Sequence, residues 1–227
     1  MNDFENMGFT GESPVNYEQK VPCILVLDVS GSMAGEPIRQ LNQGLKTLQE
    51  ALQNDHDASQ KVEVSIVTFG STVNIVQEFK LSAEFDMPTL TTSGSTKLVD
   101  GMRMAINQIE SRKSWYKATG QTYLRPWIML ITDGEPDPDQ NLAALSSEIR
   151  EKVDNKAFIF FAIGVEGYNH AKLAQICHPN TPPLKLKGLE FSSLFTWLSA
   201  SLSIVSQSKE GQKVTFAPTS SWTQIEI

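Results

Sequence analysis

The stretch VPCILVLDVSGSM, residues 21–33, decides the fold and the candidate site because an apolar strand runs directly into a carboxylate and two hydroxyls. The strand is apolar on both faces from residue 24 to 27, which predicts a buried strand of a parallel sheet. Open α/β sheets bind ligands at the carboxyl ends of such strands. Asp28, Ser30 and Ser32 follow at alternating positions, so their side chains can converge on one point.

Two later segments supply further oxygens. Thr96 ends the stretch SGST and precedes a helical pattern, which places its hydroxyl at a helix N-terminus. RPWIMLIT, residues 125–132, is a second apolar strand and ends at Asp133. Carboxylates and hydroxyls are hard donors of the kind that Mg²⁺, Mn²⁺ and Ca²⁺ prefer. The sequence therefore predicts a divalent-cation site made of Asp28, Ser30, Ser32, Thr96 and Asp133.

These positions resemble those of a von Willebrand factor A (VWA) domain, whose metal-ion-dependent adhesion site uses D-x-S-x-S, a threonine and an aspartate on three loops. Here the segments D-V-S-G-S, G-S-T and I-T-D-G supply all five residues. The resemblance implies that Asp28, Ser30, Ser32 and Thr96 coordinate Mg²⁺, Mn²⁺ or Ca²⁺ directly or through water, with Asp133 acting through a water. Because few of these ligands are charged, the cation would stay electrophilic and bind an acidic side chain of a protein partner at its open position.

Longer segments are similar to the stand-alone bacterial tellurium-resistance VWA proteins, the TerY-like group. They are RPWIMLITDGEP, KAFIFFAIGVEG and PLKLKGLEFSSLFTWLSASLSIVSQS. The resemblance runs from about residue 21 into the tail. It implies a bacterial stress-response or defence role, in which such proteins are typically encoded beside kinase-like and phosphatase-like proteins.

Composition narrows the class of protein. The chain has 227 residues, 40% hydrophobic and 20% charged, which is typical of an ordinary globular protein. Its formal charge of −7 argues against nonspecific binding to nucleic acid or to anionic membranes. Residues 1–20 lack the basic start and apolar core of a secretion signal, and no stretch has the length of a membrane span. With only Cys23 and Cys177 as cysteines, we expect a cytoplasmic protein.

The hydrophobic pattern alternates strands and helices, which predicts a doubly wound α/β sheet with helices on both faces. Strands are predicted to 28 and at 61–69, 72–79, 125–132, 157–165 and 184–186, and helices from 37 and at 97–115, 140–153, 171–176 and 192–205. The resemblance to VWA domains implies a Rossmann-like, mostly parallel six-stranded sheet of order 3-2-1-4-5-6 with strand 3 antiparallel. The predicted domains are a polar N-terminal segment 1–19, a VWA domain 20–206 and a tail 207–227 packed on the domain.

The sequence offers weaker support for other candidate sites. Glu135 and Asp137 invite a second cation site, but solvated loop acids are the favoured interpretation. Cys177 beside His178 offers two donors without a second pair at zinc-ligand spacing. Arg125 and the aromatic residues of the later strands are interpreted as core and core edge, not as a platform for nucleic-acid bases; those aromatics are Trp127, Phe158, Phe160 and Phe161.

The sequence also lacks the parts of common enzymes. It has no G-x-x-x-x-G-K-[ST] loop, no G-x-S-x-G elbow and no H-E-x-x-H. Phosphoaspartate hydrolases place a second aspartate two residues after the first as acid/base, and this chain has Ser30 there. We therefore expect a binding module and not an enzyme. The alternatives are a metal-dependent phosphohydrolase and a structural subunit whose metal only orders loops.

Overall fold

The computed structural model describes residues 13–209 and 211–223. Within them, an apolar strand at the start is followed by alternating helices and strands, as the hydrophobic pattern predicts. The elements are β1 (Val21–Asp28), α1 (Glu36–Asn54), α2 (His56–Lys61), β2 (Val62–Phe69), β3 (Val73–Leu81), α3 (Leu98–Thr119), β4 (Trp127–Thr132), α4 (Leu142–Asp154), β5 (Ile159–Gly164), α5 (His170–Ile176), β6 (Leu184–Lys185) and α6 (Phe191–Gln207).

The six strands form one sheet of order β3-β2-β1-β4-β5-β6. All neighbouring pairs are parallel except β2 with β3, which is antiparallel. This confirms the predicted topology. Strands β1, β2 and β4 are buried along their whole length because helices cover both faces of the sheet. The strand order reverses between β1 and β4, so the ends of these two strands border the switch-point crevice.

Each face of the sheet has its own apolar core. On one face α1 packs against α6 and the sheet, and on the other α3 and α4 cover it. The α1 stripe at helical spacing consists of Leu41, Leu45, Leu48 and Leu52, all fully buried. Gly44 lies on this face, and a methyl group there would come within 2.6 Å of the Phe195 ring in α6. Glycine at this position thus permits the close approach of the two helices.

The amino end of the sheet contains a buried ion pair. Glu63, at the start of β2, is only 2% exposed. Arg112 of α3 donates from Nε and Nη2 to its two carboxylate oxygens at 2.8 and 2.6 Å, and the Tyr116 hydroxyl donates to the same carboxylate. The guanidinium also stacks over the Trp115 ring at 4.1 Å. The charge of Glu63 is therefore balanced inside the protein.

The chain after α6 runs back along that helix. Trp197 of α6 donates from Nε1 to the Ala217 carbonyl at 2.8 Å, and the Phe216 ring lies 5.3 Å from that of Trp127. Trp222 is fully buried, and its carbonyl accepts from the Lys187 amide at 2.8 Å. Residues 1–12 and 224–227 lie outside the described residues. The division of the chain at 19/20 and 206/207 stays a prediction.

The structure differs from the predicted elements mainly at α2, which the sequence pattern does not indicate. Its sequence, HDASQK, has no apolar stripe. The helix forms because Asp55 caps it, accepting from the Ala58 amide at 2.8 Å. Among the residues described, no helix combines the length and apolar character that a bilayer crossing requires.

Candidate metal centre

Asp28, the last residue of β1, is fully buried at the carboxyl end of the sheet. Its Oδ1 accepts from the Ser30 amide at 2.8 Å. Its Oδ2 accepts from the Thr132 hydroxyl at 2.6 Å, which comes from the end of β4. Thr132 was not among the predicted site residues, although it directly precedes Asp133. Both carboxylate oxygens thus have a neutral hydrogen-bond donor.

A chain of hydroxyls leads outward from Asp28. The hydroxyls of Ser30 and Ser32 lie 3.0 Å apart, and Ser32 donates to Asp133 Oδ1 at 2.7 Å. Ser30 is buried, Asp133 is half-buried and Ser32 is exposed. The loop after β1 and the end of β4 are therefore joined through side-chain oxygens that reach the surface.

Thr96 reaches the same place from a third loop. A methyl group at Gly134 would lie 3.2 Å from Thr96 Oγ1 and 3.3 Å from Asp28 Oδ2, so both oxygens border the Gly134 backbone. Thr96 is buried, with 8% of its surface exposed. The structure thus brings all five predicted residues together, and a side chain at position 134 would be tight against Thr96 and Asp28.

Backbone contacts hold the Thr96 loop against the β1 loop. The Gly31 amide donates to the Gly94 carbonyl at 2.9 Å, and the Ser93 amide donates to the Val29 carbonyl at 2.6 Å. Gly94 has a φ of +51°, and a side chain there would clash with the Ser71 hydroxyl, so glycine is required by both conformation and space. This loop therefore has a fixed position relative to Asp28.

Within the described part of the chain, neither carboxylate of the centre forms an ion pair with a Lys, Arg or His side chain. Burial raises the pKa of Asp28, and hydrogen bonds from Ser30 and Thr132 partly offset the rise. Burial also raises the pKa of Asp133; the Ser32 hydrogen bond opposes this shift, and the charge of Asp28 adds to it. A bound cation would favour the ionised form of both carboxylates because it offsets desolvation and their mutual repulsion.

The donor set fits a hard divalent cation. Two carboxylates and three hydroxyls offer only oxygen, the ligand type of Mg²⁺, Mn²⁺ and Ca²⁺. Within residues 13–209 and 211–223, no group of three or more His, Cys, Asp or Glu side chains is arranged to hold a metal. A metal site in this part of the chain would therefore need neutral oxygens, which this cluster offers.

The family model described as the von Willebrand factor type A domain matches residues 23–186. The chain belongs to the VWA family. No curated protein matches the sequence.

Solved structures share the fold of this VWA domain at low sequence identity. The pilus adhesin SpaC from Lactobacillus rhamnosus GG has a TM-score of 0.66 and 14% identity over 85% of this chain and 31% of its own. The vWF domain of the type V pili tip protein Mfa5 from Porphyromonas gingivalis has a TM-score of 0.60 and 11% identity, over 87% of this chain and 99% of its own. Proximal thread matrix protein 1 of the mussel byssus, with a zinc-occupied MIDAS motif, has a TM-score of 0.57 and 17% identity, over 81% of this chain and 48% of its own. The chain thus spans less than half of SpaC and of the mussel protein.

The acidic loop after Asp133 has two different roles. Glu135 is exposed, forms an ion pair with Lys172 and accepts from Asn169 Nδ2 at 2.6 Å. Asp137 instead accepts from the Thr96 amide through Oδ1 at 3.0 Å. The expectation of a solvated loop acid is therefore wrong for Asp137. Asp137 and Thr96 are 41 positions apart, and no sequence pattern connects them.

Cys177 and His178 engage separate partners in the VWA domain. The Cys177 thiol is buried and donates to the Leu173 carbonyl at 3.3 Å, and burial raises its pKa to about 12. His178 Nε2 lies 3.0 Å from Asp154 Oδ1. The aromatic residues in and next to β4 and β5 lie in or against the apolar core, as expected; they are Trp127, Phe158, Phe160 and Phe161. Arg125 is instead exposed, so its interpretation as core edge is wrong.

Proposed function

We propose that this VWA domain is a protein-binding module that depends on a divalent cation. The observation that carries the proposal is the contact between Ser32 and Asp133, 101 positions apart, at the end of a hydroxyl chain that starts beside the buried Asp28. An oxygen cluster at the switch-point crevice has the place and chemistry of a ligand site. Family membership supports the same assignment.

In this proposal each residue has a defined role. Mg²⁺, Mn²⁺ or Ca²⁺ is held directly or through water by Asp28, Ser30, Ser32 and Thr96, and Asp133 acts through a water. The cation supplies an electrophilic position for an acidic side chain of a protein partner. Asp28 and Asp133 provide the charge, while the hydroxyls provide neutral ligands that leave the cation partly uncompensated. The zinc-occupied motif of the mussel protein supports a divalent cation at this kind of site.

Recognition explains the surroundings of Asp28 better than hydrolysis does. Its carboxylate oxygens accept from the Ser30 amide and the Thr132 hydroxyl. Neither group is an acid/base that titrates near neutral pH, which turnover of a phosphorylated substrate would require. We therefore propose no catalytic role for the site.

Calorimetric titration with Mn²⁺ and Mg²⁺ tests the cation site. The wild-type chain should bind one cation, and Asp28→Ala should abolish the binding. Asp139→Ala is the matched control, because Asp139 is an exposed acid of the neighbouring loop. Affinity of Asp28→Ala equal to that of the wild type would contradict the assignment.

A pull-down from the native host, with and without chelator, tests the partner. A complex that needs the cation supports recognition through the site. Binding that survives chelator unchanged would give the metal a structural role instead. Turnover of generic phosphatase or nucleotide substrates that disappears in Asp28→Asn would establish the hydrolase.

We further propose a cytoplasmic role in a bacterial stress-response, tellurium-resistance or defence system, with kinase-like or phosphatase-like proteins among the partners. Neither nucleic acid nor a membrane is expected as a partner. The support is the resemblance of the segments at 125–136, 156–167 and 183–208 to the TerY-like group. Deletion of the gene should lower the tellurite tolerance of the host, and unchanged tolerance would argue against this role.

A further inference from the structure

Helix α3 follows Thr96, and its N-terminus is capped by a residue from the segment between β4 and α4. The residue at its N-cap position, Lys97, makes no capping hydrogen bond with its side chain. The first amides of a helix need acceptors from outside the helix. Gln140, from the segment between β4 and α4, provides one: its Oε1 accepts from the Val99 amide at 2.7 Å and from the Asp100 amide at 3.4 Å. Its Nε2 donates to Asp100 Oδ2 at 3.1 Å.

The same segment holds Thr96 on both sides of its peptide unit. Asp137 Oδ1 accepts from the Thr96 amide at 3.0 Å, and the Asp137 amide donates to the Thr96 carbonyl at 3.1 Å. We call the contacts of Asp137 and Gln140 with residues 96–100 the loop clasp. The clasp connects the loop that carries Thr96 to the segment that begins with Asp133.

We propose that Asp137 and Gln140 are positioning residues of the metal centre, which hold the Thr96 hydroxyl in place relative to Asp28 and Asp133. This inference rests on the proposed cation site. The other side of the Thr96 loop is fixed to the β1 loop by backbone hydrogen bonds of Ser93 and Gly94. The clasp supplies the corresponding attachment toward β4.

Geometry explains why the attachment matters. Thr96 Oγ1 lies 3.2 Å from the point where a side chain of Gly134 would begin, so the threonine and the Asp133 loop are in close contact. A shift of the Thr96 backbone would move its hydroxyl relative to both carboxylates. Partners that orient metal ligands typically contribute about 10–100-fold to metal affinity.

The experiment measures Mn²⁺ affinity of the full chain by calorimetry and amide hydrogen exchange of the metal-free protein. Asp137→Ala should weaken Mn²⁺ binding about tenfold, the lower end of that range. Gln140→Ala should weaken it less. Asp137→Asn keeps an oxygen that can accept from the Thr96 amide and should restore most of the affinity. Exchange at the Thr96 amide should accelerate in Asp137→Ala, and exchange at Val99 in Gln140→Ala.

Two control variants separate positioning from charge and from stability. Asp139→Ala removes a neighbouring exposed negative charge and should leave Mn²⁺ affinity unchanged. Asn141→Ala removes the side chain that caps α4, which accepts from the Ala144 amide at 3.0 Å. It should lower stability, as loss of a helix cap does, without weakening Mn²⁺ binding.

The results distinguish this inference from the proposed function. If Asp28→Ala abolishes Mn²⁺ binding while Asp137→Ala binds like the wild type, the clasp has no positioning role and the cation site stands. Equal weakening by Asn141→Ala and Asp137→Ala would also overturn the inference, because general destabilisation would then explain both. Unchanged binding in Asp28→Ala would overturn the proposed site and the clasp together.

Discussion

Adjacent strands carry buried carboxylates at opposite ends of the sheet, and the two carboxylates have different hydrogen-bond partners. Glu63, at the amino end of β2, is 2% exposed and pairs with Arg112 through two hydrogen bonds. Asp28, at the carboxyl end of β1, is fully buried and accepts from neutral groups, among them the Ser30 amide and the Thr132 hydroxyl. A buried charge is costly unless it is paired. The carboxylate at the amino end is thus paired within the protein, whereas the one at the carboxyl end is suited to a cation from solution.

The comparison separates a buried charge that is paired within the protein from one that has only neutral partners. The guanidinium of Arg112 occupies both oxygens of Glu63, so that carboxylate serves packing and stability. The hydroxyls around Asp28 satisfy its hydrogen bonds without neutralising it. Burial alone therefore does not identify a site, but burial with only neutral partners does indicate where a cation would be stabilised.

The largest effect is expected at the amino end. Arg112→Ala leaves the buried Glu63 without the guanidinium that forms two hydrogen bonds with it, which should lower the free energy of unfolding by about 3–5 kcal/mol. Urea denaturation measures the change. Arg39→Ala, which removes an exposed partner of Glu36, is the control and should change stability little. If Arg112→Ala is as stable as the control, the Glu63 pair is not a structural charge.

The second-largest effect on stability is expected at the carboxyl end of the sheet. Mn²⁺ at 100 times its dissociation constant should stabilise the wild-type chain by about 2.7 kcal/mol, because it binds the folded state. Asp28→Ala should show no such gain, and its metal-free stability should change little, since the desolvation cost of a buried carboxylate disappears with it. Thermal unfolding with Mn²⁺ and with chelator measures both. A gain in Asp28→Ala equal to that of the wild type would remove the contrast between the two ends.

Thr132→Val tests the neutral partner of Asp28. The substitution keeps the shape of the side chain but removes the hydrogen bond to Oδ2 and the one that the hydroxyl accepts from the Gly134 amide, which together should cost about 1.5 kcal/mol in the metal-free protein. Chemical denaturation with chelator present measures the loss. No loss would mean that the buried carboxylate does not depend on this hydroxyl.

The smallest effect is expected for Thr96→Ala. Loss of one neutral ligand should weaken Mn²⁺ binding about tenfold, or ~1.4 kcal/mol, and leave the fold intact. Chelator and Thr96→Ala should each weaken a partner complex, and their combination should do little more than chelator alone, as coupled groups do. Fully additive losses would show that Thr96 acts on the partner independently of the cation.

The apolar runs that form the strands are a local signal, so the strands and the polar residues that follow β1 and β4 could be predicted from the sequence pattern. The strand order came from the resemblance to VWA domains, because local apolar runs do not determine which strands are neighbours. Their assignment as metal ligands stays a prediction. Helix α2 was not predicted because a capping aspartate, and not an apolar stripe, starts it.

Long-range polar contacts were beyond the sequence. Thr132 could have been suspected as a hydroxyl at the buried end of a strand beside β1. Asp137 resembles any loop acid until folding places it against Thr96. The pairing of Glu63 with Arg112 crosses 49 positions between a strand and a helix, and no spacing rule connects such residues.

The contact between Ser32 and Asp133 has a consequence for biosynthesis. Its residues are 101 positions apart, and Asp28 and Thr132 are 104 apart. Contacts of such separation form late, because a long loop must close before they contribute. A nascent chain that has exposed β1, α1 and β2 at the ribosome therefore has only part of the oxygen cluster. Competence to take up the cation should arise in one step, when β4 emerges and pairs with β1, so uptake of the ion would report that the chain has reached its native topology.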